Sequence, residues 1–120
     1  MEHKSPEYKK INPVGVVPAI SETDNDESVW CLNESHAILR YLAETRQTPD
    51  HWYPKDARKR AVVDAYLDWH HNYLRIGSGG YVFKKLYAPI VLGKTFTEKE
   101  MYFFKKTLEK SLKQMENWID

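Results

Sequence analysis

Two short segments of this chain have residue types and spacings that suit ligand binding. The first begins at Asn12 and reads NPVGVVPA, which predicts a turn followed by a strand from Val16 to Ile20. Because proline lacks a ladder donor, Pro18 predicts a strand edge, a bulge or a cis peptide bond. One use of such a bond is to turn the backbone of Val17 outward, where it can pair with a peptide-like ligand. A tight turn before an edge strand explains the same residues without a ligand.

The second segment is Asn33-Glu34-Ser35, at the start of a predicted helix. A helix N-terminus presents unpaired N–H groups and a partial positive charge, so a ligand carboxylate binds there readily. The Ser35 hydroxyl adds a donor, and the Glu34 carboxylate suits a ligand ammonium, which together describe the end of an amino acid. In the alternative without a ligand, Ser35 or Asn33 caps the helix and Glu34 stabilises its dipole.

The composition excludes several other classes of function. The 120 residues include 18 Lys plus Arg and 17 Asp plus Glu, so the formal net charge of +1 gives no electrostatic case for nucleic acid or an anionic membrane. The lone Cys31 excludes an internal disulfide or a cysteine-based zinc site and fits a reducing compartment. His70 and His71 are adjacent, so they point to different sides of a helix and predict no metal site. No apolar run spans a bilayer and no secretory signal is present, so we expect a soluble cytoplasmic protein.

The first third of the chain predicts a mixed α/β domain over residues 1–46. A second strand, Val29–Leu32, follows a polar loop over Ser21–Ser28, with the reversal at Asn25-Asp26. The helix after it carries an apolar face at i, i+3 and i+4 spacing, made of Ala37, Ile38, Tyr41 and Leu42. Polar residues 47–55, with Pro49 and Pro54, predict a linker.

The remainder, residues 56–120, predicts a helical domain. Asp56 is a candidate cap for a helix whose apolar residues are Val62, Val63, Tyr66, Leu67, Tyr73 and Leu74. Each helical glycine costs about 1 kcal/mol, so the run Gly77–Gly80 predicts a kink or break, with helix resuming over Tyr81–Tyr87 until Pro89 and closing at Gly93. Thr97 and Glu100 form a capping-box pattern. It opens a long helix whose predicted apolar face is Met101, Phe104, Leu108, Leu112 and Met115.

The two ligand-type segments together resemble the glutathione-binding half of cytosolic glutathione transferases. The shared pattern is N-P-x-G-x-V-P-A followed by E-S-x-A-I-x-x-Y-L, with His3 upstream at the family's spacing. The second half is similar to the theta class in particular, through HWYP at 51–54, Arg60-Ala61, DAYLDW at 64–69 and Leu74-Arg75. The resemblance is strong from His3 to Leu92 and weak after Gly93.

The resemblance implies an α/β plus all-α fold that is partial at both ends. Residues 1–46 would supply two strands and a helix of a thioredoxin-like domain, and residues 56–120 part of an all-helical C-terminal domain. The family reaction conjugates the glutathione thiolate to small electrophiles, and the full-length form is expected to be a homodimer without a metal. The theta-class serine that assists the thiol would lie upstream of these residues. No catalytic residue is therefore predicted within the chain, and Ser5 stands at the wrong place.

The resemblance also implies a role for particular residues. The Val17 backbone, before a cis Pro18, would pair with the cysteinyl part of glutathione, and Glu34 with Ser35 would hold the γ-glutamyl end. His3, with Lys4, would contact the glycyl carboxylate. The predicted glutathione contacts are thus His3, Lys4, Val17, Pro18, Glu34 and Ser35.

Two residues of the second half are candidate active-site residues. Arg75 matches an arginine that theta-class enzymes point into the active-site region, and Asn72 lies one turn earlier. A surface ion pair is the alternative role for Arg75. Two alternatives to the enzyme also stay open, a non-catalytic glutathione-transferase-like module for ligand carriage or protein association, and a non-functional remnant. Open apolar edges predict marginal stability for the chain alone, which a sharp cooperative melt would contradict.

Overall fold

The computed structural model describes residues 2–119, which form two compact units that divide between Arg60 and Ala61. The division lies a few residues beyond the segment 47–55 that the sequence predicts as a linker. Residues 46–56 contain turns and bends but no helix or strand.

The first unit begins with a helical segment that the sequence patterns did not predict. A 3₁₀ turn covers Glu2–Lys4, and helix α1 covers Pro6–Ile11. Ser5 is the N-cap of α1, and its hydroxyl accepts the Tyr8 N–H at 3.2 Å, while Pro6 occupies the first helical position. Serine followed by proline is a helix-start signal, because proline loses no intrahelical bond there.

A two-stranded antiparallel sheet follows, with β1 at Ala19–Thr23 and β2 at Val29–Asn33. The register runs from Ala19 opposite Asn33 to Thr23 opposite Val29, and the Asp24 N–H donates to the Ser28 carbonyl at 2.9 Å across the connecting turn. The loop predicted over Ser21–Ser28 is therefore shorter, because its first three residues belong to β1.

The predicted start of the first strand at Val16 is wrong, since β1 begins only at Ala19. Pro18 has no N–H to donate to a ladder. The Val16 carbonyl already accepts hydrogen bonds from two side chains, those of Tyr8 and Asn12, each at 2.7 Å. Strand pairing therefore starts after these residues. Pro18, predicted to interrupt the strand, instead lies directly before its first residue.

Helix α2, Ser35–Thr45, packs against the hairpin. Its predicted apolar face is confirmed, with Ile38 buried and Ala37, Tyr41 and Leu42 half-buried. The Tyr41 hydroxyl donates to the Glu22 carboxylate on β1, and the Tyr41 ring lies 4.7 Å from the Trp30 ring on β2. These contacts fix the direction in which α2 leaves β2.

The second unit contains most of a long, nearly continuous helical stretch. Helices α3 (Ala57–Trp69), α4 (Arg75–Val82) and α5 (Ala88–Leu92) are joined by π-helical turns at His70–Leu74 and Phe83–Tyr87. The predicted Asp56 cap is confirmed, because its carboxylate accepts the N–H groups of Arg58 and Lys59 at 3.1 and 2.9 Å. On α3, however, the side chains of Val62 and Tyr66 are exposed, as is Tyr73 in the first π-helical turn, so half of the predicted apolar face is open.

The predicted break at Gly77–Gly80 is wrong, because α4 passes through these glycines without interruption. A Cβ on Gly77 would lie 2.5 Å from the Leu108 backbone nitrogen, and one on Gly80 would lie 2.1 Å from the Phe104 ring. The glycines therefore allow close approach of a second helix. The predicted end at Pro89 is also wrong, since Pro89 lies in the first turn of α5. Gly93 ends α5 as predicted, at φ 61° in the left-handed region.

That second helix is α6, Glu98–Ile119, and its predicted capping box is confirmed. The Thr97 N–H donates to the Glu100 carboxylate at 2.9 Å, and the Glu100 N–H donates to the Thr97 hydroxyl at 3.3 Å. Met101 is buried as predicted, but Leu112 is 49% exposed and Ser111 is 3% exposed. Ser111 therefore takes the place predicted for Leu112, because residues 101, 104, 108, 111 and 115 form the contiguous stripe of a helix.

Candidate functional site

The turn from Asn12 to Val16 is built around the buried side chain of Asn12. The Gly15 N–H closes the turn on the Asn12 carbonyl at 2.9 Å. The Asn12 amide oxygen accepts the Val14 N–H at 3.1 Å, and the amide nitrogen donates to the Val16 carbonyl at 2.7 Å. An asparagine that folds its side chain onto the backbone two residues ahead is an Asx turn, which explains why the predicted turn forms here.

The preceding helical segment holds this turn from the other side. The Lys4 ammonium donates to the Gly15 carbonyl at 2.6 Å, and the Tyr8 hydroxyl donates to the Val16 carbonyl at 2.7 Å. Gly15 has φ 65°, and a Cβ there would lie 3.0 Å from the His3 carbonyl oxygen. Glycine is required at this position both for its backbone conformation and for the close approach of the chain at His3.

Beyond the turn, Val17 is an exposed residue. The Val17–Pro18 peptide bond is cis, as predicted, and the Val17 side chain is 61% exposed. Within residues 2–119, no hydrogen bond engages the Val17 N–H or carbonyl. Val17 therefore offers one donor and one acceptor to an extended partner.

The start of α2 has an unusual backbone. Glu34 is the N-cap residue, with φ 72° and ψ 107°, and its side chain makes no capping hydrogen bond. The predicted alternative that Asn33 or Ser35 is the N-cap of this helix is wrong, because the N-cap residue is Glu34. The Asn33 amide instead donates to the Asn12 amide oxygen at 2.9 Å. Asn12 thus connects the turn before Val17 with the residue that precedes Glu34.

All six predicted ligand contacts consequently lie in the first unit, on segments that Asn12, Tyr8 and Lys4 join. His3 and Lys4 flank the Gly15 turn, Val17 and Pro18 follow it, and Glu34 and Ser35 begin α2. The groups present are an exposed carboxylate, a helix start, an ammonium and the backbone of Val17. This set suits recognition of a zwitterionic peptide. Neither Tyr8 nor the buried role of Asn12 was predicted from the sequence, although the Asn-Pro pair is a signal for an Asx turn.

Asn72 and Arg75 belong to the second unit. The Asn72 amide donates to the Asp68 carbonyl at 2.9 Å. It borders a groove of about 460 Å³ whose lining includes Trp69, Phe103 and Thr107. Arg75 is the first residue of α4. Burial, and after it the positive charge of Arg75, lowers the pKa of His70 below its ordinary value.

Within residues 2–119 there is neither a membrane-spanning helix nor a cluster of metal-ligating side chains. No helix there is long and apolar enough to cross a membrane. No three His, Cys, Asp or Glu side chains in the same range are grouped as ligands of a metal ion.

Comparison with known proteins identifies relatives of both units. Residues 1–45 match the family described as glutathione S-transferase, N-terminal domain. Glutathione S-transferase T1 of Arabidopsis thaliana is 44% identical over 117 residues, which cover 96% of this chain and 45% of that protein. The chain therefore spans about half the length of the curated relative that it matches.

Solved structures agree with the sequence comparison. Human glutathione S-transferase T1-1 in its apo form aligns with a TM-score of 0.79 at 34% identity, over 93% of this chain and 45% of that one. A human theta-class enzyme in complex with the glutathione conjugate of 1-menaphthyl sulfate aligns with a TM-score of 0.77 at 36% identity, over 93% and 43% of the two chains. The fold is thus a thioredoxin-like part followed by a helical region. Residues 1–45 thus match the N-terminal domain of glutathione S-transferases, and nearly the whole chain is similar in sequence and fold to theta-class glutathione S-transferases over nearly half of their length.

Proposed function

We propose that the first unit binds glutathione, and that the whole protein conjugates the glutathione thiolate to small electrophiles. One observation carries this proposal. The Val17 backbone, which makes no hydrogen bond within residues 2–119, and Glu34, at φ 72°, lie on two segments that Asn12 joins. The glutathione conjugate bound by the human theta-class relative supports the same ligand.

Each part of glutathione has a counterpart in this site. The cysteinyl residue pairs its backbone with the N–H and carbonyl of Val17, as a short added strand. The γ-glutamyl ammonium meets the Glu34 carboxylate, and its carboxylate meets the start of α2 beside Ser35. The glycyl carboxylate lies toward His3 and Lys4. The Lys4 ammonium has three donors, of which the Gly15 carbonyl takes one.

The backbone of Glu34 gives independent support for a ligand at the start of α2. A non-glycine residue at φ 72° costs on the order of 1–2 kcal/mol, and such residues concentrate at binding and catalytic sites. Glycine would avoid this cost, but it would also remove the carboxylate. A glutamate in this conformation fits a site that needs its charge.

Conjugation needs a group that favours the thiolate, since a thiol with a pKa of about 8.5 is mostly protonated at neutral pH. Ser5 is not assigned this role, because it begins helix α1, whereas the serine implied by the family resemblance follows the first strand of the thioredoxin-like domain. Arg75 and Asn72, which belong to the second unit, are the candidates within this chain for contacts near the electrophile. The complete enzyme is proposed to be a cytoplasmic homodimer that uses no metal.

Calorimetric titration of glutathione into the 120-residue chain tests the binding proposal. Wild type should bind saturably, and Glu34→Ala and Ser35→Ala should each weaken binding by about tenfold or more, the effect of losing a hydrogen bond to a charged group. Glu27→Ala is a matched control, because Glu27 is also exposed and at positive φ but lies in the β1–β2 turn. A folded chain without saturable binding would overturn the proposal and favour a non-catalytic module for protein association.

A further inference from the structure

Asn12 is fully buried, with 0% of its surface exposed, so it cannot touch a ligand. Its amide orientation is nevertheless fixed on both sides. The amide oxygen accepts the Val14 N–H, which can only donate, and the amide nitrogen donates to the Val16 carbonyl, which can only accept. The amide oxygen has a second lone pair, and the Asn33 amide occupies it at 2.9 Å.

The two ends of this one amide act on two different ligand contacts. The nitrogen end holds the carbonyl of Val16, one residue before Val17. The oxygen end holds the side chain of Asn33, one residue before Glu34. Within residues 2–119, the Asn12–Asn33 contact is a direct side-chain hydrogen bond between the turn and the end of β2, which are 21 residues apart in sequence.

We propose that Asn12 is a positioning residue that sets the distance between the Val17 backbone and the start of α2. One tripeptide then reaches both at once. The inference deepens the proposed glutathione site and rests on it. The Tyr8 hydroxyl provides an internal comparison, because it holds the same Val16 carbonyl at 2.7 Å but does not bond to Asn33.

If Asn12 has this role, variants of it should lose their preference for glutathione over cysteinylglycine. A general loss of stability would not change that preference. Glutathione spans Val17 and Glu34, whereas cysteinylglycine lacks the γ-glutamyl group and uses Val17 without Glu34. The ratio of the two dissociation constants therefore measures how much the γ-glutamyl contact adds. A variant that is merely less folded raises both apparent dissociation constants by the same factor and leaves their ratio unchanged.

The experiment measures this ratio by calorimetry in the full chain, with circular dichroism to record the folded fraction. Asn12→Ala and Asn33→Ala should each reduce the preference for glutathione by about fivefold, the effect of one hydrogen bond. The double variant should lose no more than either single variant, because both remove the same connection. Tyr8→Phe should weaken both ligands equally.

Each result of this experiment supports or overturns the positioning role of Asn12. If Asn12→Ala does not fold, Asn33→Ala alone decides, because it removes only the contact between the two segments. An unchanged ratio in Asn33→Ala, or additive losses in the double variant, would overturn the role of Asn12 while leaving the glutathione site in place. A folded wild-type chain that binds neither ligand would overturn the proposed function and this inference with it.

Discussion

The two units each bury a polar side chain, and the two side chains differ in what they connect. Asn12 is 0% exposed, and its side chain bonds to three other residues, including Asn33 in β2. Ser111 is 3% exposed, and its hydroxyl donates only to the Thr107 carbonyl one turn earlier in its own helix, at 2.8 Å. A buried polar atom that joins distant segments defines a particular geometry, whereas one that bonds within its helix fills space.

The backbones of the two regions show the same difference. On the segments joined through Asn12, the backbone has a positive φ at Gly15 and Glu34. In α4, the special residues are Gly77 and Gly80, whose backbones are helical and whose missing side chains admit α6. We infer that the first region is organised for recognition and the second for helix packing.

The largest expected effect is a difference in stability between variants of the two buried polar side chains, Asn12 and Ser111. Asn12→Ala leaves the Val14 N–H and the Asn33 amide without their partner, which should lower the free energy of unfolding by about 3 kcal/mol. Ser111→Ala should change it by less than about 1 kcal/mol, because the Thr107 carbonyl keeps its place in the helix. Urea denaturation of both variants measures the difference. Equal losses would contradict the distinction drawn between the two regions.

The packing region has its own matched pair of glycines. Gly77→Ala places a Cβ 2.5 Å from the Leu108 backbone nitrogen, so the helices must separate, at an expected cost of about 2 kcal/mol. Gly79→Ala meets nothing within 4 Å and should gain about 0.5–1 kcal/mol from helix propensity. The shift of the urea midpoint should therefore have opposite signs in the two variants. Stabilisation by Gly77→Ala would show that α4 and α6 do not approach this closely.

These glycines also show where the sequence misleads. A run of glycine in a helical pattern predicts a break, because the local cost is visible in the sequence and the partner helix is not. Leu108 is 31 residues from Gly77, and no local pattern connects them. The same limit hid the role of Asn12, since its second contact is with Asn33. Local signals, by contrast, predicted the turn, the Asp56 cap and the Thr97–Glu100 capping box. They left a strand edge, a bulge or a cis bond open at Pro18, and the cis bond followed only from the family resemblance.

A smaller effect tests whether the conformation of Glu34 is kept for its charge. Glu34→Gly relieves a φ of 72° and should raise the free energy of unfolding by up to about 1 kcal/mol, while glutathione binding is lost. Glu27→Gly relieves a φ of 65° in the hairpin turn and should stabilise the chain similarly while binding is kept. Thermal denaturation and calorimetry measure both quantities. Retained affinity in Glu34→Gly would mean that the carboxylate does not hold the ligand.

The smallest expected effect concerns the local contact that begins α6. Hydrogen bonds from the Thr97 backbone and then from its hydroxyl lower the pKa of Glu100 below its ordinary value of 4.5. Since the folded pKa is depressed, the stabilisation is fully present above about pH 4.5 and disappears as the pH falls through the folded value. Glu100→Gln keeps an acceptor for the Thr97 N–H but removes the charge.

We therefore expect Glu100→Gln to be less stable than wild type at pH 7 and to approach wild type below the folded pKa. Urea denaturation at several pH values between 3 and 7 would measure this convergence. Glu98→Gln removes a charge from the same turn without a bond to Thr97, and it is the charge control once its exposed ion pair with Lys85, at 3.8 Å, is screened by salt. If the free energies of unfolding of wild type and Glu100→Gln differ by the same amount across this pH range, the capping box stabilises α6 independently of its charge. In that case the N-terminus of α6 would depend on geometry alone, and the contrast with the charged start of α2 would be sharper.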